Sequence, residues 1–154
     1  MLSGGGSLQV FVDADGCPVV DVTAQLCRKY SMICTLLCDT AHEMYREGCQ
    51  TIVVDKGADS VDFAIANRVN PGDLVITQDY GLASMCLGKR TRVLHQDGWE
   101  YTEDNIQALL FQRHESRKFR ATGGRVKGPA KRKNTQNQAF REKLDQILSN
   151  KDQG

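Results

Sequence analysis

Leu8-Gln9-Val10-Phe11-Val12-Asp13-Ala14-Asp15-Gly16-Cys17-Pro18 is the stretch from which the rest of the chain is read. A short apolar run ends on an acid, a second acid follows two residues later, and a proline closes the segment. Near-continuous Val and Phe over so few residues suits a strand buried on both faces. Proline is tolerated in a first helical turn, so Pro18 opens a helix to about Tyr30. Outward from there the pattern repeats. Met32 to Cys38 reads as a second strand, Ala41 to Gly48 as a short helix or loop, and Thr51 to Asp55 as a third strand. Ser60 to Val69 has helical spacing, with Val61, Ile65 and Val69 on one face. Asp73 to Thr77 is a fourth strand, Gly81 to Leu87 a helix and Thr91 to His95 a fifth strand. Thr102 is placed to cap the next helix. This alternation predicts an α/β fold: a mostly parallel five-stranded sheet with helices on both faces.

From Thr122 to Asn137 the composition turns to Gly, Lys, Arg, Asn and Pro, which predicts a mobile basic loop over 122–137. A last amphipathic helix is expected from about Gln138 to Leu148, with Phe140, Leu144, Ile147 and Leu148 as its apolar face. At 154 residues the chain fits one domain, read as 8–150, after a flexible leader over 1–7. Its 40% hydrophobic and 25% charged residues suit a globular protein in water. No run of 18 apolar residues predicts a membrane span. The first residues lack the basic and apolar regions of a secretory signal. A cytoplasmic protein with reduced thiols is therefore expected, and none of the six cysteines has CxxC spacing.

The net charge of +1 hides an asymmetry. Residues 1–112 carry eight basic and fifteen acidic side chains, a net of −7, and the remainder carries twelve and four, a net of +8. A basic tail on an acidic body points to a polyanion such as nucleic acid; a solvated basic surface is the plainer alternative. Arg113, Arg117, Lys118, Arg120, Lys127, Lys131, Arg132 and Lys133 are the candidate phosphate contacts.

The acids fall where open α/β sheets bind ligands, outside the carboxyl ends of strands. Asp13 closes the first strand, Asp15 follows, and Asp79 follows the fourth. Asp62 lies in the first turn of a helix and Asp59 just before it. Thr77, two residues before Asp79, can orient a carboxylate or a water. Clustered carboxylates repel one another unless cations neutralise them, and oxygen ligands select Mg²⁺ or Mn²⁺. Two such ions can hold a phosphodiester, activate water and stabilise a leaving oxygen. Single acids after strands also serve as caps and turn formers, the reading adopted for Asp73 and Asp55. His42, His95 and His114 lack ligand spacing and read as surface or packing residues, and Trp99 and Tyr101 as packing. There is no P-loop, GxGxxG or nucleophile motif.

The segments VFVDADGCPVV, ADSVDFAIANRV and PGDLVITQDYGLA, with VLHQDGWEYTEDNI and GGRVKGP, together resemble the YaiI/YqxD family of uncharacterised bacterial proteins. The likeness runs from about Val10 to Leu148. That family looks PIN-like, which implies a Rossmann-like sheet with an acidic metal site of the kind nucleases use. Asp13, Asp15, Asp62 and Asp79 match the acids of that site, as metal ligands and catalytic residues. PIN-like domains often pair, so a homo-oligomer is admitted. The expected activity is metal-dependent cleavage of a phosphodiester, with RNA as the preferred substrate. Two alternatives stand beside it: a non-catalytic nucleic-acid-binding PIN-like protein, and a haloacid-dehalogenase-like phosphatase with Asp13 as nucleophile.

Overall fold

The computed structural model describes residues 8–57, 60–124 and 131–153. Asp59, Lys127, the leader over 1–7 and much of the basic segment lie outside the described residues. In chain order the elements are β1 (Gln9–Asp13), α1 (Val20–Lys29), β2 (Ile33–Asp39), β3 (Cys49–Val54), α2 (Ser60–Ala66), β4 (Leu74–Ile76), α3 (Tyr80–Leu87), β5 (Arg92–Leu94), β6 (Glu100–Tyr101), α4 (Glu103–Ala121) and α5 (Asn134–Gln153). The protein is α/β, with a mostly parallel sheet as the alternation predicts. The sheet has six strands in the order β3-β2-β1-β4-β5-β6, one more than expected. The extra strand is β6, which folds back antiparallel on β5 with Val93 opposite Tyr101 and Leu94 opposite Glu100. Two residues are too few to show any period in a sequence. Arg92 secures this edge by donating to both carboxylate oxygens of Glu100, at 2.6 and 3.1 Å.

Alternation along the strands divides the apolar residues between two cores. Val10, Val12, Leu36, Leu74 and Ile76 face α1 and α5, where Leu26, Cys27, Phe140, Leu144 and Leu148 meet them. Phe11, Leu37, Val75 and Val93 face the other way, against Val61, Ile65, Leu82, Cys86 and Ile106 of α2, α3 and α4. The period of two that sends neighbouring side chains to opposite faces makes this division. Asp13 shares its parity with Phe11, and Thr77 shares its parity with Val75. Both therefore belong to the α2–α3–α4 side.

Two helix starts differ from the sequence reading by two residues or more. Helix α1 starts at Val20, because Gly16 (φ +68°) turns the chain first. Residues 41–48 take the loop alternative and hold no helix. Helix α5 begins at Asn134, four residues earlier than its apolar face suggests. Its polar start is held by its own side chains: Lys133 N donates to Gln136 Oε1 at 2.7 Å, and Arg132 Nε to Asn137 Oδ1 at 2.6 Å. Helix α5 also passes close over Gly98 (φ +94°), where a Cβ would stand 2.7 Å from the Ala139 carbonyl. The six cysteines are free thiols. Among the described residues no helix is long and apolar enough to cross a membrane.

A candidate acidic centre at the strand ends

The chain winds outward from β1 to β3 on one side and from β4 to β6 on the other, so the strand order reverses between β1 and β4. That reversal opens a crevice at the carboxyl ends of the strands. Asp13 ends β1 there, and Thr77 and Asp79 follow β4.

One hydroxyl joins the two acids. Thr77 Oγ1 donates to Asp13 Oδ2 at 2.8 Å and accepts from the Asp79 backbone N–H at 2.9 Å. Thr77 is 2% exposed, and its carbonyl receives the Tyr101 hydroxyl at 3.2 Å. Asp79 caps α3, its Oδ1 accepting from Gly81 N at 2.8 Å and Leu82 N at 3.1 Å. Such a cap satisfies amide donors that a helix start leaves open. The same oxygen lies 3.5 Å from the Arg113 guanidinium. Removal from water pushes the Asp13 carboxyl up to about 6; the Thr77 hydrogen bond opposes this, and Asp79 and Asp15 reinforce it.

Asp15 turns towards a different neighbourhood. The bond from Ala14 N to Leu37 O, 3.0 Å, continues the β1–β2 ladder, in which Asp13 lies opposite Leu37, and so brings Asp15 beside the end of β2. There Asp39 Oδ1 accepts from Ala41 N at 2.9 Å and lies 2.8 Å from His42 Nδ1, which is 4.0 Å from Asp15 Oδ1. Burial first, then Asp39, raises the Asp15 carboxyl, while the His42 ring holds Asp39 low. Among the described residues Asp15 Oδ1 is buried with no hydrogen-bond partner. One ligand-type atom from each of Asp15, Asp39 and His42 lies within 4.8 Å of the others. An orphaned carboxylate oxygen among such donors fits a divalent cation.

Asp62 sits in the first turn of α2 and is half-buried. The buried Cys86 thiol, pushed up to about 12 chiefly by burial, feels both Asp62 and Asp13. Asp62's neighbours Val61 and Ile65 belong to the core on the side of the sheet that carries Asp13. Asp73 is a structural acid, accepting from Gln9 N at 3.2 Å and Asn70 N at 2.8 Å. His95 and Trp99 stack at 4.3 Å with Tyr101 edge-on, a packing cluster behind Thr77.

The basic candidates divide. Arg113 reaches Asp79, and with Arg117 and Arg120 it lines a cavity beside Tyr80. Lys118 is 4.0 Å from Glu115, and Lys131 and Lys133 are exposed. Arg132 is engaged within the fold. It donates to Asp97 Oδ1 at 2.6 Å and the Gln96 carbonyl at 2.7 Å, besides Asn137, and so clamps the start of α5 to the β5–β6 loop.

Asp39 and His42 are the site residues that the sequence reading missed. The rule that finds Asp13, an acid closing a strand, applies equally to Asp39 at the end of β2. His42 stands three residues further on and is exposed, in keeping with a surface reading; the turn at 40–42 brings its ring onto Asp39.

The sequence model described as "Uncharacterized BCR, YaiI/YqxD family" matches residues 11–150. A UPF0178 protein of Exiguobacterium sibiricum is 45% identical over 144 residues, covering 94% of this chain and 99% of its own. A UPF0178 protein of Natranaerobius thermophilus is 43% identical over 141 residues (92% and 96%), and one of Ruminiclostridium cellulolyticum is 44% identical over 138 (89% and 90%). No solved structure matches.

Proposed function

The chain belongs to the YaiI/YqxD family, and from the acids at its strand ends we propose a metal-dependent nuclease or phosphodiesterase of PIN-like architecture, acting on RNA. The observation that carries this reading is the Asp13–Thr77–Asp79 unit at the reversal of strand order. A carboxyl raised to about 6 by burial and by neighbouring acids is poorly satisfied until a cation joins it. Asp13, Asp15, Asp62 and Asp79 would hold Mg²⁺ or Mn²⁺, and Asp39 and His42 extend the donors around Asp15. A bound ion of this kind supplies positive charge to a phosphoryl oxygen and acidifies a water.

The protein's own groups prepare the site. The Thr77 hydroxyl fixes the rotation of the Asp13 carboxylate, and the amides of α3 fix that of Asp79. Tyr101, packed against His95 and Trp99, props the Thr77 backbone. Arg113 sets a guanidinium beside Asp79, where it can meet a phosphate oxygen. Preorganised charge is what phosphoryl transfer asks of a protein.

The test is Mn²⁺-dependent cleavage of labelled single-stranded RNA and DNA by the wild type, Asp13→Asn and Asp79→Asn. Asn caps a helix about as well as Asp, so Asp79→Asn keeps α3 intact while removing a charge. Cleavage by the wild type, lost in both variants, is expected. Undiminished cleavage by Asp79→Asn would refute the site, and an inert wild type would refute the activity.

A further inference from the structure

Helix α4 changes character along a single face. Positions spaced by three and four residues lie on one side of a helix. On α4 that side reads Ile106, Leu109 and Leu110, then Arg113, Arg117 and Arg120. The first three pack into the core shared with α3. The three arginines continue the same stripe past the start of α3, Arg113 half-buried and Arg117 and Arg120 exposed, and Phe111 stands on the opposite side, 64% exposed. A helix that merely solubilises its surroundings puts charge outward and apolar groups inward. Here the apolar stripe passes into arginines, which line an open cavity of about 370 Å³ with Tyr80, Gln112 and Ser116. The cavity adjoins the acidic centre directly, since Tyr80 follows Asp79 and Arg113 touches it.

We propose that this cleft between the start of α3 and the arginine face of α4 binds the phosphates of single-stranded nucleic acid. Guanidinium groups pair with phosphate oxygens in two-pronged fashion, and Gln112 and Ser116 add neutral donors. The Tyr80 ring offers a base a stacking surface, and a basic groove with an aromatic side chain is how single strands are held without sequence preference. One ring and a cavity this small suit a nucleotide or two drawn from a flexible strand, not the width of a duplex. Arg113 would be shared between Asp79 and the strand, so the cleft leads a polymer to the acids. The inference deepens the nuclease reading by naming where its substrate lies, yet it concerns binding alone, which needs no metal.

It is tested in EDTA, where cleavage plays no part, with a fluorescent 15-nucleotide single strand and the matching duplex titrated from 50 to 300 mM KCl. Arg117→Ala/Arg120→Ala is compared with Lys29→Ala/Arg141→Ala, which removes equal charge from the α1–α5 side; Arg117→Lys/Arg120→Lys is the conservative control. The expected result is at least a tenfold loss of single-strand affinity at 100 mM KCl for the cleft variant and less than twofold for the distant one. The slope of log K on log salt should flatten by about 1.4, at roughly 0.7 for each phosphate released. The lysine variant should recover part of the loss. Equal behaviour of the cleft and distant variants, preference for the duplex, or no binding by the wild type at 50 mM KCl would each overturn the proposal. A strand bound in the cleft but never cut in Mn²⁺ would count against the nuclease and leave the cleft standing.

Discussion

Asp13→Asn should make the metal-free protein more stable at neutral pH, although it removes the central acid of the candidate site. The Asp13 carboxyl is raised from 3.8 to about 6. A group that holds its proton more tightly folded than unfolded costs nothing at low pH, where both states are protonated. Stability then falls as pH rises between the two values, because the folded state binds more protons there. Above about pH 6 the full cost applies, about 3 kcal/mol at roughly 1.36 kcal/mol per tenfold change in proton affinity. Asn keeps the shape and its carbonyl can still accept the Thr77 hydroxyl, while its amide is an added buried donor costing about 1 kcal/mol. The net gain at pH 7.5 is about 2 kcal/mol, or about 4–8 °C in Tm for a domain of this size. Urea unfolding in EDTA at pH 7.5 and pH 4.0 measures it. The gain should be large at the first pH and gone at the second, where ionisation costs only about 0.5 kcal/mol and the added amide outweighs it. Asp13→Asn less stable than the wild type at pH 7.5, or an equal gain at both pH values, would refute the account of this carboxylate as a charge held against its surroundings.

Thr77→Val keeps the shape of a buried side chain but removes both hydrogen bonds of the hydroxyl. A loss of about 1–3 kcal/mol is expected in urea unfolding, with the smaller loss at pH 4, where the Asp13 carboxyl is protonated and has less to gain from a donor. Arg132→Ala should cost about 1–3 kcal/mol, since three side-chain contacts to Asp97, Gln96 and Asn137 go together. Lys131→Ala and Lys133→Ala, on exposed neighbours, should each stay within about 0.5 kcal/mol, and thermal melts of the three variants separate the clamp from simple charge loss.

Much of the architecture was legible because buried strands announce themselves: Val10–Val12, Ile52–Val54 and Leu74–Ile76 are apolar runs that end in acids or turns. Strand β6 was not legible, since Glu100 and Tyr101 form it only by pairing with β5. The polar start of α5 reads as loop by composition, and side-chain hydrogen bonds from residues 132–137 make it helix. At the site, strand ends gave Asp13 and Asp79, and the hydroxyl spacing gave Thr77. The partition of acids was hidden: Asp15 lies two residues from Asp13 yet stands beside Asp39, because the β1–β2 register, with Asp13 opposite Leu37, carries on to the end of β2. The basic tail told of charge but not of its use, and Arg132 and Arg113, so alike in sequence, serve a clamp and a cleft.

The sheet behaves as a partition. Leu36 and Leu37 are bonded neighbours, both 0% exposed, yet one fills the core beneath α1 and α5 and the other the core beneath α2 and α3. Truncating both leaves voids on opposite faces of the sheet, so the coupling between their free-energy costs should be small, carried only by the backbone they share. Leu36 and Leu148, more than a hundred residues apart, belong to one core and can share a single relaxation, so their costs should not be additive. Adjacency in the chain is thus a poor guide to which substitutions influence one another here. Side of the sheet is the better one, and every acid of the Asp13–Thr77–Asp79 unit answers to the α2–α3–α4 side.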